Sequence, residues 1–528
     1  MRRPPLPSFI ADLTSDRVAA SALLASFFAL LAAGLDPKVM APMATTTQAA
    51  IRARPEIEGF VLLISVGTAI MLLVGGAVGD TTRTRPIIMG GLAVSLVSAV
   101  AALLLVNTGL PFQLVRIAGI ASAAIVMPAS LAMAATSYTG IPRATAIGIA
   151  YAGYGAGQGI SPTLVALIPG HPGPAFVASI VGCALALWIV RGRIPDLPRP
   201  TTRAERRTVL GTALWASGVV LVATSILWFG GGLTNPLRLT LLGAGIVLVV
   251  VFFAWERWRS ESHADDVRVD RRPVTIALFV GLVIAVAQVV PMSQLPLYFG
   301  VAMQYGPIVG IAALAPLFAG LVLAGPVAGF LLARYQPRTL VLFGMLAVGL
   351  GDVLVAVLIG PQTPYLVFIV PLLLVGGGFV VATTVRTAII FSAVPRGLPA
   401  TAAALNEASI EVGTRAGIVV VTAVLAQVSI MAYTASLTGS PAEIESALAP
   451  FRDVLVALGT PSFAQPARAI QPADLAQYKE AYLTGIRVAM LGAGVLTLLG
   501  AGIAWATLGR RNPLQTVYEH REERAAAG

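Results

Sequence analysis

Fourteen apolar runs, parted by short stretches that hold most of the charge, constrain this chain more than any other feature. They cover roughly residues 18–45, 59–79, 86–107, 110–136, 143–168, 174–191, 209–230, 236–255, 274–299, 307–333, 339–360, 364–392, 399–435 and 482–508. A helix crosses a bilayer in about 20 apolar residues. Many of the runs are longer, so tilted helices or projecting ends are expected. Only 11% of the 528 residues are charged and 57% are hydrophobic, with a mean hydropathy of +0.86. A soluble domain of this size could not cover its surface with so few charges, so the chain is a polytopic membrane protein. The expected fold is an all-α membrane bundle of fourteen spans. Prolines inside the runs (Pro42, Pro128, Pro162, Pro291, Pro316, Pro371) predict kinks or broken helices, tolerated where neighbours re-satisfy the backbone.

The net charge of +11 invites a nucleic-acid partner, but the positions of the basic residues exclude one. With the N-terminus inside, 24 of the 35 lysines and arginines fall on the cytoplasmic side and seven on or near the outer side (Arg52, Arg54, Arg238, Arg452, Arg468, Lys479, Arg487). That bias predicts a cell-membrane protein with both termini in the cytoplasm. No small-residue cleavage site follows a short apolar region near Met1 to Arg17, so no removed signal peptide is expected. Cys183 is the single cysteine and lies in an apolar run, which leaves no disulfide framework and no thiolate metal cluster.

The two most basic segments, Arg191 to Arg207 and Glu256 to Arg272, flank the seventh and eighth runs. A topological role is the simpler reading of them; binding of anionic lipid headgroups is the other. Setting that pair of runs aside leaves six on each side. The expected order is an N-tail 1–17, a six-helix half 18–191, a linker 192–208, two additional helices 209–255 and a linker 256–273. A second half 274–508 follows, with an outer loop 436–481, and then a C-tail 509–528. Within that loop Ile444, Leu448, Phe451, Leu455 and Leu458 recur every three or four residues, an amphipathic helix. It either caps the outer mouth or lies on the headgroups.

Between the second and third runs stands Gly76 to Arg85, GAVGDTTRTR, and 253 residues later Gly329 to Arg338, GFLLARYQPR, stands between two further runs. A signature repeated between membrane helices points to two homologous halves. Both copies resemble the loop motif of the major facilitator superfamily, Gly-x-Leu-x-Asp-Arg-x-Gly-Arg-Lys/Arg, which joins helices two and three of each half. The first copy keeps Gly76, Asp80 and Arg85, with Thr81 for arginine and Arg83 for glycine. The second keeps Gly329, Leu331, Arg334 and Arg338 but has Ala333 in place of the aspartate. Six plus two plus six spans is the layout of the superfamily's fourteen-span drug:proton antiporters, and the resemblance covers nearly the whole chain. It implies two halves about a pseudo-two-fold axis along the membrane normal, with residues 18–191 superposing on 273–508. It also implies a gating role for the motif residues, with Asp80 holding the halves together in the outward-facing state. The first-turn amides of the thirteenth span, where the helix dipole favours an anion, are the partner expected for Asp80.

Charges inside a bilayer are costly, so each is a functional hypothesis. Asp36 and Lys38 lie in LAAGLDPKVMAP of the first span. Fourteen-span antiporters place an aspartate here, in a pattern of which this chain keeps Leu35, Asp36 and Val39, while Pro42 falls two residues early and Lys38 is foreign. Arg116, where the family has its fourth-helix arginine, is about 9 Å below the outer surface and level with Asp36. The cluster either ties span one to span four or takes part in coupling. In span thirteen, Glu407, Glu411 and Arg415 are spaced by four and share a face at depths of about 12, 18 and 24 Å from the inner side. Arg386 in span twelve is in reach of Glu407, which leaves Arg415 as the local partner of Glu411. Desolvation and a neighbouring cation pull on a carboxylate in opposite senses, as a proton carrier requires. Glu411 is the first choice for that role and Asp36 and Glu407 the others; a static ion network is the alternative. Asp352 stands alone in span eleven. Span five, GIAYAGYGAGQGISPTLVA, resembles the antiporter signature at Gly157 and Pro162, while Ser161, Val165 and Ala166 replace its other glycines. Small residues at this spacing also simply let helices pack closely.

Lysines occur only at 38 and 479, so no phosphate-binding Gly-x-x-x-x-Gly-Lys loop exists and ATP does not drive this chain directly. His171, His263 and His520 form no metal-binding pattern, and no cofactor is expected. A membrane enzyme would need a nucleophile and base at one interface, and no such pair is found; a sensor without transport stays open. The expected function is proton-coupled export of hydrophobic, amphipathic or cationic compounds by a monomer in contact with membrane lipids. Export of an endogenous lipid or metabolite, or symport, is the alternative. Phe27, Met40, Met292, Phe318 and Phe379 are possible pocket lining, a position in which ordinary helix packing also places such residues.

Overall fold

The computed structural model describes residues 16–38, 68, 70–105, 110–138, 141–167, 173–191, 236–262, 271–305, 307–332, 334–394, 397–457 and 472–508, with six helical positions between 214 and 225. The regular structure among them is helical. In order the helices are α1 (Arg17–Lys38), α2 (Ile70–Thr81), α3 (Thr84–Leu105), α4 (Leu110–Thr136), α5 (Ile141–Leu167), α6 (Gly173–Val190) and α7 (Pro236–Ser262). They continue as α8 (Arg271–Met303), α9 (Pro307–Ala312), α10 (Ala315–Leu332), α11 (Pro337–Leu358), α12 (Ile369–Ala393), α13 (Pro399–Ser436), α14 (Pro441–Ala457) and α15 (Pro472–Thr507). Nine helices among the described residues are long and apolar enough to cross a bilayer, and three shorter ones are apolar. The 27-residue α5 is not among them, because its Gly, Tyr, Gln and Ser content suits a helix walled in by protein rather than lipid.

Helix pairing repeats across the chain. In the first half α1 packs on α4, α5 and α6, and α3 packs on α4 and α6; in the second, α8 packs on α12, α13 and α15, and α11 on α12 and α15. The crossings between halves repeat as well. The α5 helix lies against α10 and α12, and α13 lies against α4 and, through Gly76 and Gly79, against α2. This is the pseudo-two-fold arrangement of two six-helix halves. Described positions of the expected seventh run join the eighth: Gly218 meets Gly245 of α7. Leu221 packs with Leu73 of α2 and with Ala404, Leu405 and Ala408 of α13, so the added pair lies along one side of the crossing between halves.

The tenth expected span is broken, as a proline near its start predicts. A turn at Ala313–Leu314 separates α9 from α10, since Pro316 has no N–H to continue the ladder. The Leu317 N–H turns to the Leu314 carbonyl (2.9 Å), and the Ala313 carbonyl it passes over accepts from the Tyr365 hydroxyl at 3.0 Å. Pro128, Pro291 and Pro296 stay inside continuous helices. Pro42 lies outside the described residues.

The two longest helices run furthest past the bilayer. At 38 and 36 residues, α13 and α15 are about 57 and 54 Å long against a hydrocarbon core of about 30 Å. Their projecting ends are joined by α14, whose Phe451 completes a three-ring cluster with Tyr433 of α13 and Tyr478 of α15, with ring centroids 4.9 and 4.8 Å away. Leu448, Val454 and Leu455 are buried on the same face. The outer amphipathic helix is therefore a brace between two helices of one half. Leu458 lies outside the described residues. The brace starts in a reciprocal cap: the Ser440 N–H donates to Glu443 Oε2 at 2.7 Å. That backbone bond and the Ser440 hydroxyl hold the Glu443 carboxyl below its usual range. On α15, Lys479 donates to the Ala302 carbonyl (3.0 Å) and Arg487 to the Ile359 carbonyl (2.8 Å), two cations placed on the C-terminal ends of α8 and α11.

The tightest approach of the halves is Gly148 of α5 against Gly325 of α10. A Cβ on Gly148 would lie 2.0 Å from the Gly325 carbonyl oxygen, and one on Gly325 would lie 2.3 Å from that of Gly148. No side chain fits there without moving a backbone. Gly148→Val is therefore expected to prise the halves apart, at an overpacking cost of about 1–3 kcal/mol. Thermal unfolding should fall, and the distance between spin labels at the exposed positions Arg83 and Gln336 should lengthen. An unchanged distance would show that this crossing yields without separating the halves.

Candidate functional site

Both copies of the loop motif lie at one end of the bundle, and each places its glycine where a helix of the other half crosses. A Cβ on Gly76 would lie 2.4 Å from Ala404 Cβ of α13, and one on Gly329 would lie 2.2 Å from Thr145 Cα of α5. Asp80 adds charge to the first crossing. Fully buried at the end of α2, its Oδ1 accepts the Ala400 N–H at 2.7 Å and its Oδ2 the Thr401 N–H at 2.8 Å. These amides are in the first turn of α13, where N–H groups lack helical partners and the dipole favours an anion. The partner inferred from sequence is the partner observed. The motif arginines act within each half. Arg85 donates to the Arg191 carbonyl at 2.9 Å, tying α3 to the end of α6. Arg338 lies over the Trp505 ring at 4.5 Å, tying α11 to α15 in the same relation. Arg334, in the turn after α10, stacks on Phe330 of that helix at 4.3 Å.

Nearer the middle of the bundle a polar cluster spans the seam. Tyr151 on α5 donates its hydroxyl to Glu407 Oε1 on α13, and the Asn406 amide donates both to that hydroxyl oxygen and, at 2.9 Å, to Glu407 Oε1. Thr387 of α12 is placed to donate to Asn406 Oδ1 (3.0 Å) or to the Thr383 carbonyl (2.7 Å), and its oxygen is 3.4 Å from the Tyr151 hydroxyl. All of these side chains are buried. Arg386, expected to pair with Glu407, instead donates to Ser409 Oγ (2.9 Å) and the Asn406 carbonyl (3.1 Å). Its Nη1 fills the slot that Gly281 of α8 leaves open. The carbonyl of the residue before Glu407 and a serine two residues after it capture the guanidinium, and its charge reaches the carboxylate at longer range.

One turn further along α13, Glu411 and Arg415 form an ion pair, with Nη2 at 2.7 Å and Nε at 2.8 Å from Oε1. Their side chains are 21% and 41% exposed, so this part of the face is open where Glu407 is closed. Tyr154 on α5 feels the charges of Glu407, Glu411 and Arg415 and hydrogen-bonds to Gln158. Tyr151, Tyr154 and Gln158 thus form a polar stripe on α5 opposite the charged stripe on α13. In the sequence, span five stands out for Gly157 and Pro162. The signal those two residues leave out is the spacing of three and four among polar residues on a helix that is otherwise small and apolar.

Other expected site residues fall elsewhere. Asp36 and Lys38 end α1 and Met40 follows it; the Asp36 and Lys38 side chains and all of Met40 lie outside the described residues. Arg116 is buried and lies over the Phe176 ring at 5.7 Å. Gly157 packs on α1, where a Cβ would lie 2.3 Å from the Leu31 carbonyl oxygen; its visible role is helix packing inside one half. Pro162 is in the same helix, and its side chain is not described. Phe318 packs on Gly159 across the seam and Phe27 on Gly153 within its half; Phe379 is buried and Met292 half-buried. Asp352 is fully buried in α11 and, among the described residues, neither carboxyl oxygen has a partner. Among the described residues no group of three His, Cys, Asp or Glu could hold a metal ion.

Comparison with known proteins places this geometry. Residues 22–418 match the Major Facilitator Superfamily. The chain is 28% identical over 386 residues to a puromycin resistance protein of Streptomyces alboniger, covering 70% of this chain and 74% of the relative. Among solved structures it is similar to the human organic anion transporter MFSD10, with a TM-score of 0.56 at 14% identity over 92% of this chain and 99% of that one. It is also similar to the proton:xylose symporter XylE, with a TM-score of 0.55 at 12% identity over 95% and 99%.

Asp80→Asn keeps the shape and one acceptor but removes the charge and the second acceptor. Hydrogen bonds to a charged group contribute about 1.5–3 kcal/mol, so amide exchange at Ala400 and Thr401 is expected to quicken by roughly ten- to a hundredfold. Exchange at the wild-type rate would show that α13 begins without help from α2.

Proposed function

The chain belongs to the major facilitator superfamily, and from that premise we propose that it is a proton-coupled exporter of hydrophobic, amphipathic or cationic small molecules. It is a multi-pass membrane transporter rather than an enzyme, and its substrate is a small molecule. The finer reading is carried by one observation: the acidic stripe Glu407–Glu411 of α13, with Arg415, lies at the seam opposite Tyr151 and Tyr154 of α5. Groups at the seam change surroundings when two halves rock against each other, whereas groups inside a half do not. A proton held there is exposed to each side in turn.

With the loop-motif end in the cytoplasm, as the basic loops imply, the contacts of Asp80, Gly76, Gly148 and Gly329 close the cytoplasmic side, and we assign this closure to the outward-facing state of the cycle. In this scheme the partly exposed Glu411–Arg415 pair is the part of the stripe reached from the outside. Glu411 is the carrier in this scheme and Glu407 the deeper acid beside it. The similarity to a puromycin resistance protein supports the outward direction.

In proteoliposomes, substrate accumulation against its gradient should follow an imposed pH gradient. Glu411→Gln preserves shape and removes titration. It is expected to lower gradient-driven accumulation by at least tenfold, as loss of a required proton carrier demands, while gradient-independent counterflow persists. A panel of lipophilic cations, neutral amphiphiles and organic anions identifies the class. Accumulation that ignores the pH gradient would overturn proton coupling; a Gln variant that still responds to it would reduce Glu411 to a structural residue.

A further inference from the structure

The hydrogen-bond inventory around Glu407 points to a second role for α5. Glu407 Oε1 meets two donors, the Tyr151 hydroxyl and the Asn406 amide, a set complementary to a carboxylate. Within this cluster Tyr151 alone comes from the first half; Asn406, Glu407, Thr387 and Arg386 all come from the second. The Tyr151–Glu407 bond is thus a charge-assisted contact across the seam, a few turns along α13 from the Asp80 cap and on the same side as the glycine crossings. Charge-assisted bonds are roughly twice as strong as neutral ones.

We infer that Tyr151 is a positioning residue that converts the protonation state of Glu407 into the grip between the two halves. A proton on Oε1 turns that acceptor into a donor, and the Tyr151 hydroxyl must find another acceptor. Thr387 Oγ1, 3.4 Å away and able to donate to the Thr383 carbonyl at the same time, is that acceptor. A proton on Oε2 leaves Oε1 as a neutral acceptor, and the bond loses its charge assistance. In both cases a contact between halves is replaced by a weaker one, and the loop-motif end is freed to open. The direction is the one an exporter needs. With Glu407 ionised the outward-facing state is held; a proton taken up from outside releases it, so the return inward carries a proton. The inference rests on the proton-coupled reading above.

Among the described residues, charged and titratable groups face Glu407 from α5, α12 and α13. Tyr151 and Tyr154 come from α5, Arg386 from α12, and Glu411 and Arg415 from α13 itself. From α2, Asp80 is committed to the amides of Ala400 and Thr401, and from α4 Arg116 lies over Phe176.

The test is the distance between spin labels at Arg83 and Gln336, one on each half, in a Cys183→Ala background over a pH series. Wild type should move from a short distance at alkaline pH to a long one at acidic pH. Tyr151→Phe, which keeps the ring, should show the long distance at alkaline pH and lose at least tenfold of the alkaline closed-to-open ratio. Glu407→Gln should do the same, and the double variant should go no further than either single one. Thr387→Val removes the alternative acceptor, itself a contact across the seam, together with a donor to Asn406, so it should keep the closed state at alkaline pH and move the midpoint to higher pH. This variant guards against Tyr151→Phe failing to fold, and a midpoint at or below the wild-type value would overturn the inference. A Tyr151→Phe protein that closes and opens with pH as wild type does would also overturn it. Transport separates this from the function proposed above. If wild type accumulates substrate under a pH gradient and the Tyr151→Phe distance profile is unchanged, only the Tyr151 role fails. If wild type ignores the gradient, the proton-coupled reading fails with it.

Discussion

Lipid offers no hydrogen-bond partner, so every polar group at the junction between the halves must be satisfied by the opposite half or its own. The seam of this protein is built around that constraint. Where α5 meets α10 the problem is removed by glycine, since Gly148 and Gly325 present backbone and nothing else. Where α2 meets α13 it is solved by charge: the carboxylate of Asp80 takes two helix-terminal amides that would otherwise face the membrane end unpaired. Between these points Tyr151, Asn406 and Glu407 satisfy one another. Each solution is reversible without unfolding a helix, because none takes a hydrogen bond from inside an α-helical ladder.

The two copies of the loop motif show how a symmetric fold carries an asymmetric function. The glycines and the final arginines play equivalent parts in each half, Arg85 tying α3 to α6 and Arg338 tying α11 to α15. The aspartate has no counterpart in the sequence: Ala333 stands at its place, and alanine carries no carboxylate to cap a helix. The charged cap therefore acts on α13 alone, the helix that also bears Glu407 and Glu411. A displacement of α2 relative to α13 is transmitted along one rigid helix to both carboxylates.

Much of this could be read from the chain. Runs of about 20 apolar residues locate membrane helices because bilayer thickness fixes their length, and the partner of Asp80 followed from where a helix dipole favours an anion. The Glu411–Arg415 pair followed from spacing of four. What could not be read were contacts between helices distant in sequence. Arg386 was expected on Glu407 because opposite charges at similar depth attract; Ser409 and the Asn406 carbonyl hold it instead. Tyr151 was hidden among the glycines of α5, and its partner lies 256 residues away. The brace α14 was visible as an amphipathic stripe, but not what it packs on, since its aromatic partners Tyr433 and Tyr478 lie on parts of α13 and α15 that project past the membrane.

Asp352 shows why burial alone does not identify a proton carrier. It is at least as buried as Glu407, and among the described residues its carboxyl oxygens have no partner. Its helix, α11, packs on α12 and α15 of the same half, so rocking one half against the other leaves its surroundings as they were. A carrier must meet different neighbours in the two states, and that requires a position on the seam. Glu407 has it through Tyr151, and Glu411 through Tyr154. The seam, more than the depth of a charge in the membrane, separates the acids that can couple to transport from those that are only enclosed by the fold.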